Sequence, residues 1–338
     1  MKNELRQDPL SRRWVIIAKK RAKRKHDVNA PKRYRTSSKS KTICPFCPGN
    51  ENQSVEVYRQ GPQKPASSWT IRSILNKAPY FEAPSEEKTG LITRGVIFRY
   101  TVPRGISEVL IENRDHKKDL VFMSEDEVTN VLSAYKDRFN DLDKKWNEIL
   151  IFRNHGYLGG QTITHPHTQI TAASNQNPEV LEEEKNVINF KKKYGLCLMG
   201  HTEKVERLRK KRLIMANDYF VAICPWASFQ PYEIIIIPKK HKPNIGELTK
   251  PELKAFASIL QDVLRKIYLG FSDPSYNFYI RNYKNKGKLK KAGHWYLRII
   301  LHLTILGGYE ASSGDSINPV SPEDATEHLK KISIKNWK

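Results

Sequence analysis

The stretch His165-Pro166-His167-Thr168-Gln169-Ile170-Thr171 closes the first half of this chain, and its reading decides the fold. On a β-strand alternate residues face the same way. His165, His167 and Gln169 are therefore expected on one face, with Thr164 and Thr168 on the other. Just upstream runs Asn154-His155-Gly156-Tyr157-Leu158-Gly159-Gly160-Gln161-Thr162, whose glycines let backbone N–H groups come close to phosphate oxygens. Neutral imidazole is a competent nucleophile toward phosphorus at neutral pH, and the resulting phosphoramidate is labile enough to pass its group on. A side-chain amide beside it donates hydrogen bonds to phosphoryl oxygens as charge builds up. His167 is the candidate nucleophile and Gln169 its stabilising partner; a polar strand with histidines satisfied in the core is the bland alternative.

Outward from this stretch the chain repeats itself. A second histidine-bearing strand, His294-Trp295-Tyr296-Leu297-Arg298-Ile299-Ile300, closes the second half. Before each lies another strand, 148–152 in the first half and 276–280 in the second. Each of those follows an amphipathic helix. The first opens on the capping-box pattern Ser124-Glu125-Asp126-Glu127 and carries Val128, Val131, Leu132 and Tyr135 at helical spacing. The second opens near Thr249-Lys250-Pro251-Glu252 and carries Leu253, Phe256, Ile259, Leu260 and Val263. Two strands precede each helix: 96–102 and 108–112, ending at His116, then 219–224 and 233–237, ending at His241. The predicted fold class is α+β, a tandem pair of antiparallel-rich units with packed helices. The expected divisions are a catalytic half over 1–177, a solvated helical connector over 178–212 and a degenerate half over 213–338. Only the first half keeps two close histidines, which points to one active site. Residues 27–43 read as an exposed loop.

A chain of 338 residues with 38% hydrophobic and 10% aromatic residues can bury a sizeable core. It has no run approaching the roughly 18 apolar residues of a membrane helix. Nor does the sequence begin with an apolar leader, so it reads as cytoplasmic with no membrane partner. The net charge of +23 raises nucleic-acid binding as a remote alternative. Against that, the lysines are spread along the whole chain and no aromatic-interleaved RNA motif accompanies them.

Cys44-Pro45-Phe46-Cys47 is half of a tetrahedral zinc site. His116 ends one core strand and His165 begins another, so Cys44, Cys47, His116 and His165 form a candidate Cys2His2 site. A free C-x-x-C pair with unrelated histidines is the other reading. Cys197 and Cys224 stand isolated.

At this point the sequence resembles the galactose-1-phosphate uridylyltransferases, a branch of the histidine-triad superfamily. The resemblance runs from Glu4-Leu5-Arg6-Gln7-Asp8-Pro9, Trp14-Val15-Ile16-Ile17-Ala18 and Arg21-Ala22-Lys23-Arg24 through Cys44-Pro45-Phe46-Cys47-Pro48-Gly49 and Asn76-Lys77-Ala78-Pro79. It continues over the His-Pro-His-x-Gln stretch to Gly308-Tyr309-Glu310. The resemblance implies that His167 is the nucleophile and Gln169 the phosphoryl-stabilising amide. It further implies zinc on Cys44, Cys47, His116 and His165, phosphate contacts at Asn154 and Thr162, nucleoside contacts at Asn76 and Lys77, and cationic contacts to the sugar phosphate at Arg21 and Arg24. The implied partners are a nucleoside diphosphate sugar, a sugar 1-phosphate or phosphate, and a second copy of the chain as a homodimer.

The sequence also departs from the family. A second, structural metal would need one Glu and three His; Tyr296 and Arg281 stand where two of those histidines are expected, and the acid would fall among Glu182, Glu183 and Glu184. Only one metal site is therefore expected. A Gln that grips the hexose in many members has no counterpart in the run 308–319, where Ser316 stands near its position. That run, with His294-Trp295-Tyr296-Leu297, is more like the ADP-glucose phosphorylase branch. The expected activity is UDP-glucose:hexose-1-phosphate uridylyl transfer, with phosphorolysis of ADP-glucose or a dinucleoside polyphosphate as the alternative.

Overall fold

The computed structural model describes residues 2–19, 21, 44–82, 92–174, 176–335 and 337. Arg24 and the stretch 27–43 lie outside the described residues. In chain order the elements are β1 (Glu4–Gln7), β2 (Trp14–Ile17), β3 (Glu56–Gln60), β4 (Ile71–Leu75), β5 (Ile92–Arg94), β6 (Phe98–Tyr100), β7 (Gly105–Ile111), α1 (Glu125–Leu142), β8 (Glu148–His155) and β9 (His167–Ala173). Then come α2 (Pro178–Tyr194), α3 (Leu198–Arg209), β10 (Leu213–Ala216), β11 (Phe220–Ile223), β12 (Ile234–Pro238), α4 (Lys250–Phe271), β13 (Tyr276–Arg281), α5 (Leu289–Ala292), β14 (Tyr296–Leu301), α6 (Gly308–Ser313), β15 (Ser316–Asn318) and α7 (Pro322–Lys331).

Ten of these strands form one sheet in the order β10-β11-β12-β14-β13-β8-β9-β7-β4-β3, with every neighbouring pair antiparallel. The order reads the same outward from the β13–β8 junction: β14 answers β9, β12 answers β7, β11 answers β4 and β10 answers β3. The duplication seen in the sequence is thus a five-strand unit used twice, and the fold is α+β. The expected strand over 96–102 is corrected here. Only 98–100 is extended, in a separate two-stranded hairpin with β5, and Val96, Ile97 and Phe98 are 88%, 74% and 68% exposed. The true counterpart of β11 is β4, which pattern reading passed over because Arg72 and Ser73 break its apolar run; both are buried, Arg72 bonded to Glu56 and Ser73 to Glu108.

Helices α1 and α4 lie together on one face of the sheet. Their buried stripes, Val128, Val131, Leu132, Tyr135 and Phe139 against Leu253, Phe256, Leu260, Val263 and Ile267, join the sheet residues Ile149, Ile151, Ile170, Phe220, Ile234 and Phe278 in one core. Ser124 and Glu127 form the full capping box, and at the second helix the Glu252 carboxylate accepts from both the backbone N and the hydroxyl of Thr249. The four isoleucines of β12 are all 2% exposed or less, as a central strand covered on both faces requires.

The second cover is α2 and α3, which pack Val187, Leu198 and Met199 on Val221, Ile223, Ile235, Ile237 and Tyr296. The segment 178–212 is therefore a packed layer and not a solvated connector. Its charge misled: Glu183, Glu203 and Glu206 are buried and paired with Arg281, Arg207 and Arg212. A small sheet, β1-β2-β15, ties the N-terminal strands to the C-terminal run, with β15 parallel to β2.

Candidate active site

In the first half, the sheet face opposite α1 carries the histidines. Strand β9 begins at His167, not at His165. Pro166 has no N–H, and its carbonyl accepts from Glu112 N at 3.1 Å, so the chain turns into the sheet there. Strand alternation does not reach back across that turn. Thr164, expected on the opposite face from His165, bonds the His116 ring instead, Oγ1 to Nε2 at 2.9 Å. Within β9 the expectation holds. Thr168 points the other way, its hydroxyl 2.6 Å from both Glu112 and Tyr135.

His167 is 7% exposed. Its Nδ1 lies 2.8 Å from the His165 carbonyl, an oxygen that can only accept. Nδ1 must therefore carry the proton, and the Nε2 lone pair is free. Burial depresses the imidazole's pKa, opposed by the hydrogen bond to the His165 carbonyl and by the Glu112 charge. The ring is neutral at pH 7 as a result. Phe46 packs on it with centroids 5.3 Å apart.

Behind the strand sits a buried charge network that sequence reading missed. Arg153 donates to Glu112 at 3.0 and 3.1 Å, to Asp119 at 2.5 Å and to the Tyr276 hydroxyl at 3.1 Å. Its signal was available, since Arg153 directly continues the apolar run Ile149-Leu150-Ile151-Phe152 of a core strand. Removing one partner from such a buried pair typically costs about 3–5 kcal/mol.

Gln169 faces the same side as His167, opposite Phe152 of β8. Two residues along β8 comes Asn154, which the antiparallel register sets beside His167. Gly159 can carry no side chain, because a Cβ there would stand 2.4 Å from the His155 carbonyl oxygen. Thr162 is exposed just beyond this glycine loop. Asn76 follows β4, its backbone N bonded to Ser107 O at 2.9 Å, and Lys77 beside it is exposed. Arg21 lies just past β2, in the small sheet's neighbourhood, its N bonded to Ala18 O at 2.8 Å. His167, Gln169 and Asn154 are thus brought together on one face, with Asn76 and Lys77 flanking it across β7, while Arg21 stands just past β2 of the small N-terminal sheet.

The cysteine pair meets both expected histidines. Cys47 Sγ is 3.3 Å from His116 Nδ1 and 3.5 Å from His165 Nδ1, and Cys44 Sγ is 3.8 Å from His165 Nδ1. All four ligand atoms lie within 4.8 Å of one another, and all four residues are buried. A tetrahedral zinc with ordinary Zn–S and Zn–N bonds sets its S and N ligands roughly 3.6 Å apart, so the donor set fits. The outer ring nitrogens are held as metal-bound histidines require: His165 Nε2 donates to Asn113 O at 2.7 Å, and His116 Nε2 to Thr164.

A second cluster, Cys197, His241 and His294, corrects the reading that Cys197 stands isolated. It repeats the first in place and detail. His294 precedes β14 as His165 precedes β9, and its Nε2 donates to the Pro238 carbonyl at 2.9 Å; Cys197 Sγ is 3.5 Å from its Nδ1. Gly200 stands where Cys47 does, three residues after the first cysteine, and a Cβ on it would lie 3.4 Å from His294 Nδ1. The spacing His241…His294 beside His116…His165 was the missed signal. In this half the nucleophile's position holds Tyr296 and that of Gln169 holds Arg298.

Glu183 is the acid that meets Arg281 and Tyr296. Arg281 Nε is 3.4 Å from Glu183 Oε2, and the hydroxyls of Tyr283 and Tyr296 donate to Oε1 at 2.5 and 3.1 Å. The Arg281 guanidinium is thus the cation that faces Glu183. This cluster borders a cavity of about 600 Å³ that Arg13, Arg298, His302, Glu310 and Ser316 also line. Among the described residues, no helix is long and apolar enough to cross a membrane.

Comparison with known proteins agrees with this layout. Residues 1–177 match the family model for the galactose-1-phosphate uridyl transferase N-terminal domain, and residues 182–279 that for its C-terminal domain. The chain is 30% identical to ADP-glucose phosphorylase of Arabidopsis thaliana over 98% of its own length and 93% of that protein's. It is 24% identical to galactose-1-phosphate uridylyltransferase of Haemophilus influenzae, over 98% and 95% of the two chains. The crystal structure of an Arabidopsis thaliana ADP-glucose phosphorylase with bound ADP-glucose superimposes with a TM-score of 0.81 at 28% identity, covering 98% of this chain and all of that one.

Proposed function

Since this chain belongs to the galactose-1-phosphate uridylyltransferase family of nucleotidyltransferases, we propose that it works through a covalent nucleotidyl-His167 intermediate, with ADP-glucose as donor and inorganic phosphate as acceptor. The observation that carries the chemistry is the His167–His165 hydrogen bond, which leaves the Nε2 lone pair free on the face shared with Gln169 and Asn154. His167 Nε2 attacks the α-phosphorus, a P–N bond forms, and the P–O bond to glucose 1-phosphate breaks. As Nε2 becomes bonded the ring gains positive charge, which the His165 carbonyl and, behind it, Glu112 stabilise. The amide N–H groups of Gln169 and Asn154 meet the phosphoryl oxygens. An oxygen of the acceptor phosphate then attacks the same phosphorus, the P–N bond breaks, and ADP leaves with His167 restored.

Zinc on Cys44, Cys47, His116 and His165 would hold His165, and so the carbonyl that orients His167. The choice of donor rests on the 30% identity to an ADP-glucose phosphorylase and on the run 308–319, which lacks the hexose-gripping Gln. Uridylyl transfer from UDP-glucose to a hexose 1-phosphate is the second reading, favoured by the family models along both halves. Incubation with ADP-glucose and, separately, UDP-glucose, each labelled in the nucleotide, tests both. Acid-labile, base-stable label on the protein from ADP-glucose is expected. Label from UDP-glucose alone overturns the donor, and label from neither overturns the intermediate.

A further inference from the structure

We propose that Asn277, held by His302, is a positioning residue that sets which end of the Asn154 amide faces the phosphate site. This rests on the reading of Asn154 given above. Asn277 on β13 is the register partner of Asn154 on β8. Its Nδ2 lies 2.8 Å from Asn154 Oδ1 and 2.8 Å from the Gly159 carbonyl oxygen. Its Oδ1 lies 2.5 Å from His302 Nε2.

A carboxamide presents one donor end and one acceptor end, and the neighbours decide which is which. The Gly159 oxygen is a main-chain carbonyl and only accepts, so the NH2 of Asn277 must face it. The same NH2 then meets Asn154, which must turn its own oxygen inward. The oxygen of Asn277 is left for His302, whose Nε2 therefore carries the proton. Burial lowers the His302 pKa, in keeping with a neutral ring that offers one fixed donor.

The consequence for Asn154 is directional. With its oxygen engaged, its NH2 faces away from Asn277, and a Cβ built on Gly160 would meet that nitrogen at 3.7 Å. The donor end of Asn154 thus lies over the glycine loop, where a phosphoryl oxygen needs a donor. Gly159 serves twice, since a Cβ would meet both the His155 and Tyr276 carbonyl oxygens, and its own carbonyl anchors the relay. Nothing in the linear sequence joins 154, 277 and 302; the β8–β13 junction between the two halves does.

The test is a double-mutant cycle on the whole enzyme, read as kcat and KM for nucleotide-sugar turnover with melting temperatures alongside. Asn277→Asp keeps the shape but offers only acceptors, so it draws the Asn154 NH2 inward. We expect kcat to fall roughly 10²-fold, the scale of losing one preorganised donor, with a smaller change in KM. Added to Asn154→Ala, the same substitution should cost less than about 3-fold more. At His302, Gln retains a donor and should stay within about 3-fold of wild type, whereas Glu removes it and should lower kcat roughly 10-fold or more. These two keep the proposal testable if Asn277→Asp fails to fold. If Asn154→Ala leaves turnover intact, the reading of Asn154 itself falls, and this inference with it. If Asn154→Ala is damaging but Asn277→Asp is harmless, or the two losses multiply, or Gln and Glu at 302 behave alike, only the relay is overturned.

Discussion

His155→Gln should remove a pH-dependent part of the stability worth at most about 3 kcal/mol. His155 ends β8 between Asn154 and the glycine loop, stacked on Tyr276 at 4.6 Å. Its Nε2 lies 2.8 Å from Asp273 Oδ1, and its Nδ1 3.5 Å from Asp119 Oδ2 and 3.4 Å from Arg153. Burial opposes the imidazolium, as does Arg153, but the two carboxylates outweigh them and raise its pKa from 6.5 to about 9. A group whose pKa is raised on folding stabilises fully below its unfolded pKa, and that stability is lost as pH rises through the folded pKa. At about 1.4 kcal/mol per pH unit, the rise from 6.5 to about 9 corresponds to about 3 kcal/mol. The His155 side chain is 14% exposed but Asp273 is 37% exposed, so solvent screening trims the Asp273 share and about 3 kcal/mol is the upper end. Urea unfolding of wild type and variant at several pH values between about 6 and 10 measures it. The gap between the two proteins should be widest near pH 6 and close toward a constant packing offset by about pH 10. A gap that stays the same across that range within about 0.5 kcal/mol would refute a charged His155 and the carboxylate clamp assigned to it.

Three further outcomes are expected. His167→Gly should lose all labelling by nucleotide sugar while melting within a few degrees of wild type, because no other nucleophile stands in its place; comparable labelling of the variant would overturn the assignment. Metal analysis should find one tightly held zinc per chain, lost in Cys44→Ser, while Gly200→Cys completes the Cys197, His241 and His294 set and brings the count toward two; wild type already near two, or a variant still at one, would show that the ligand geometry has been misread. Comparing kcat/KM for phosphate, glucose 1-phosphate and galactose 1-phosphate as acceptors should show phosphate used well and little distinction between the hexoses. A preference for galactose 1-phosphate over phosphate of roughly 10⁴ or more, the scale of strict hydroxyl readout, would restore uridylyl transfer as the activity.

Much of this was legible along the chain, because it depends on spacing within single elements. Alternation in Thr168-Gln169 gave the shared face of His167 and Gln169, capping residues at Ser124 and Thr249 gave the two long helices, and C-x-x-C with two strand-end histidines gave the metal cluster. What the sequence by itself determined is therefore the repeated α+β unit, the candidate nucleophile with its amide, and the first ligand set. Other features are pairings between distant strands, which no local period records. β4 escaped notice because its buried polar residues are satisfied from Glu56 and Glu108, and the acids of α2 and α3 looked solvated because their burial comes from packing on the second half's sheet, where Glu183 meets Arg281 of β13. Only the tertiary structure decided that α2 and α3 cover the second half's own histidine face, that Cys197 joins His241 and His294, and that Asn277 and His302 reach Asn154. The physical reason is that a backbone period specifies which way a side chain points, whereas the partner that satisfies a buried charge, completes a ligand set or fixes an amide is set by elements that meet only when the chain has folded, Asn154 and Asn277 across the β8–β13 junction among them.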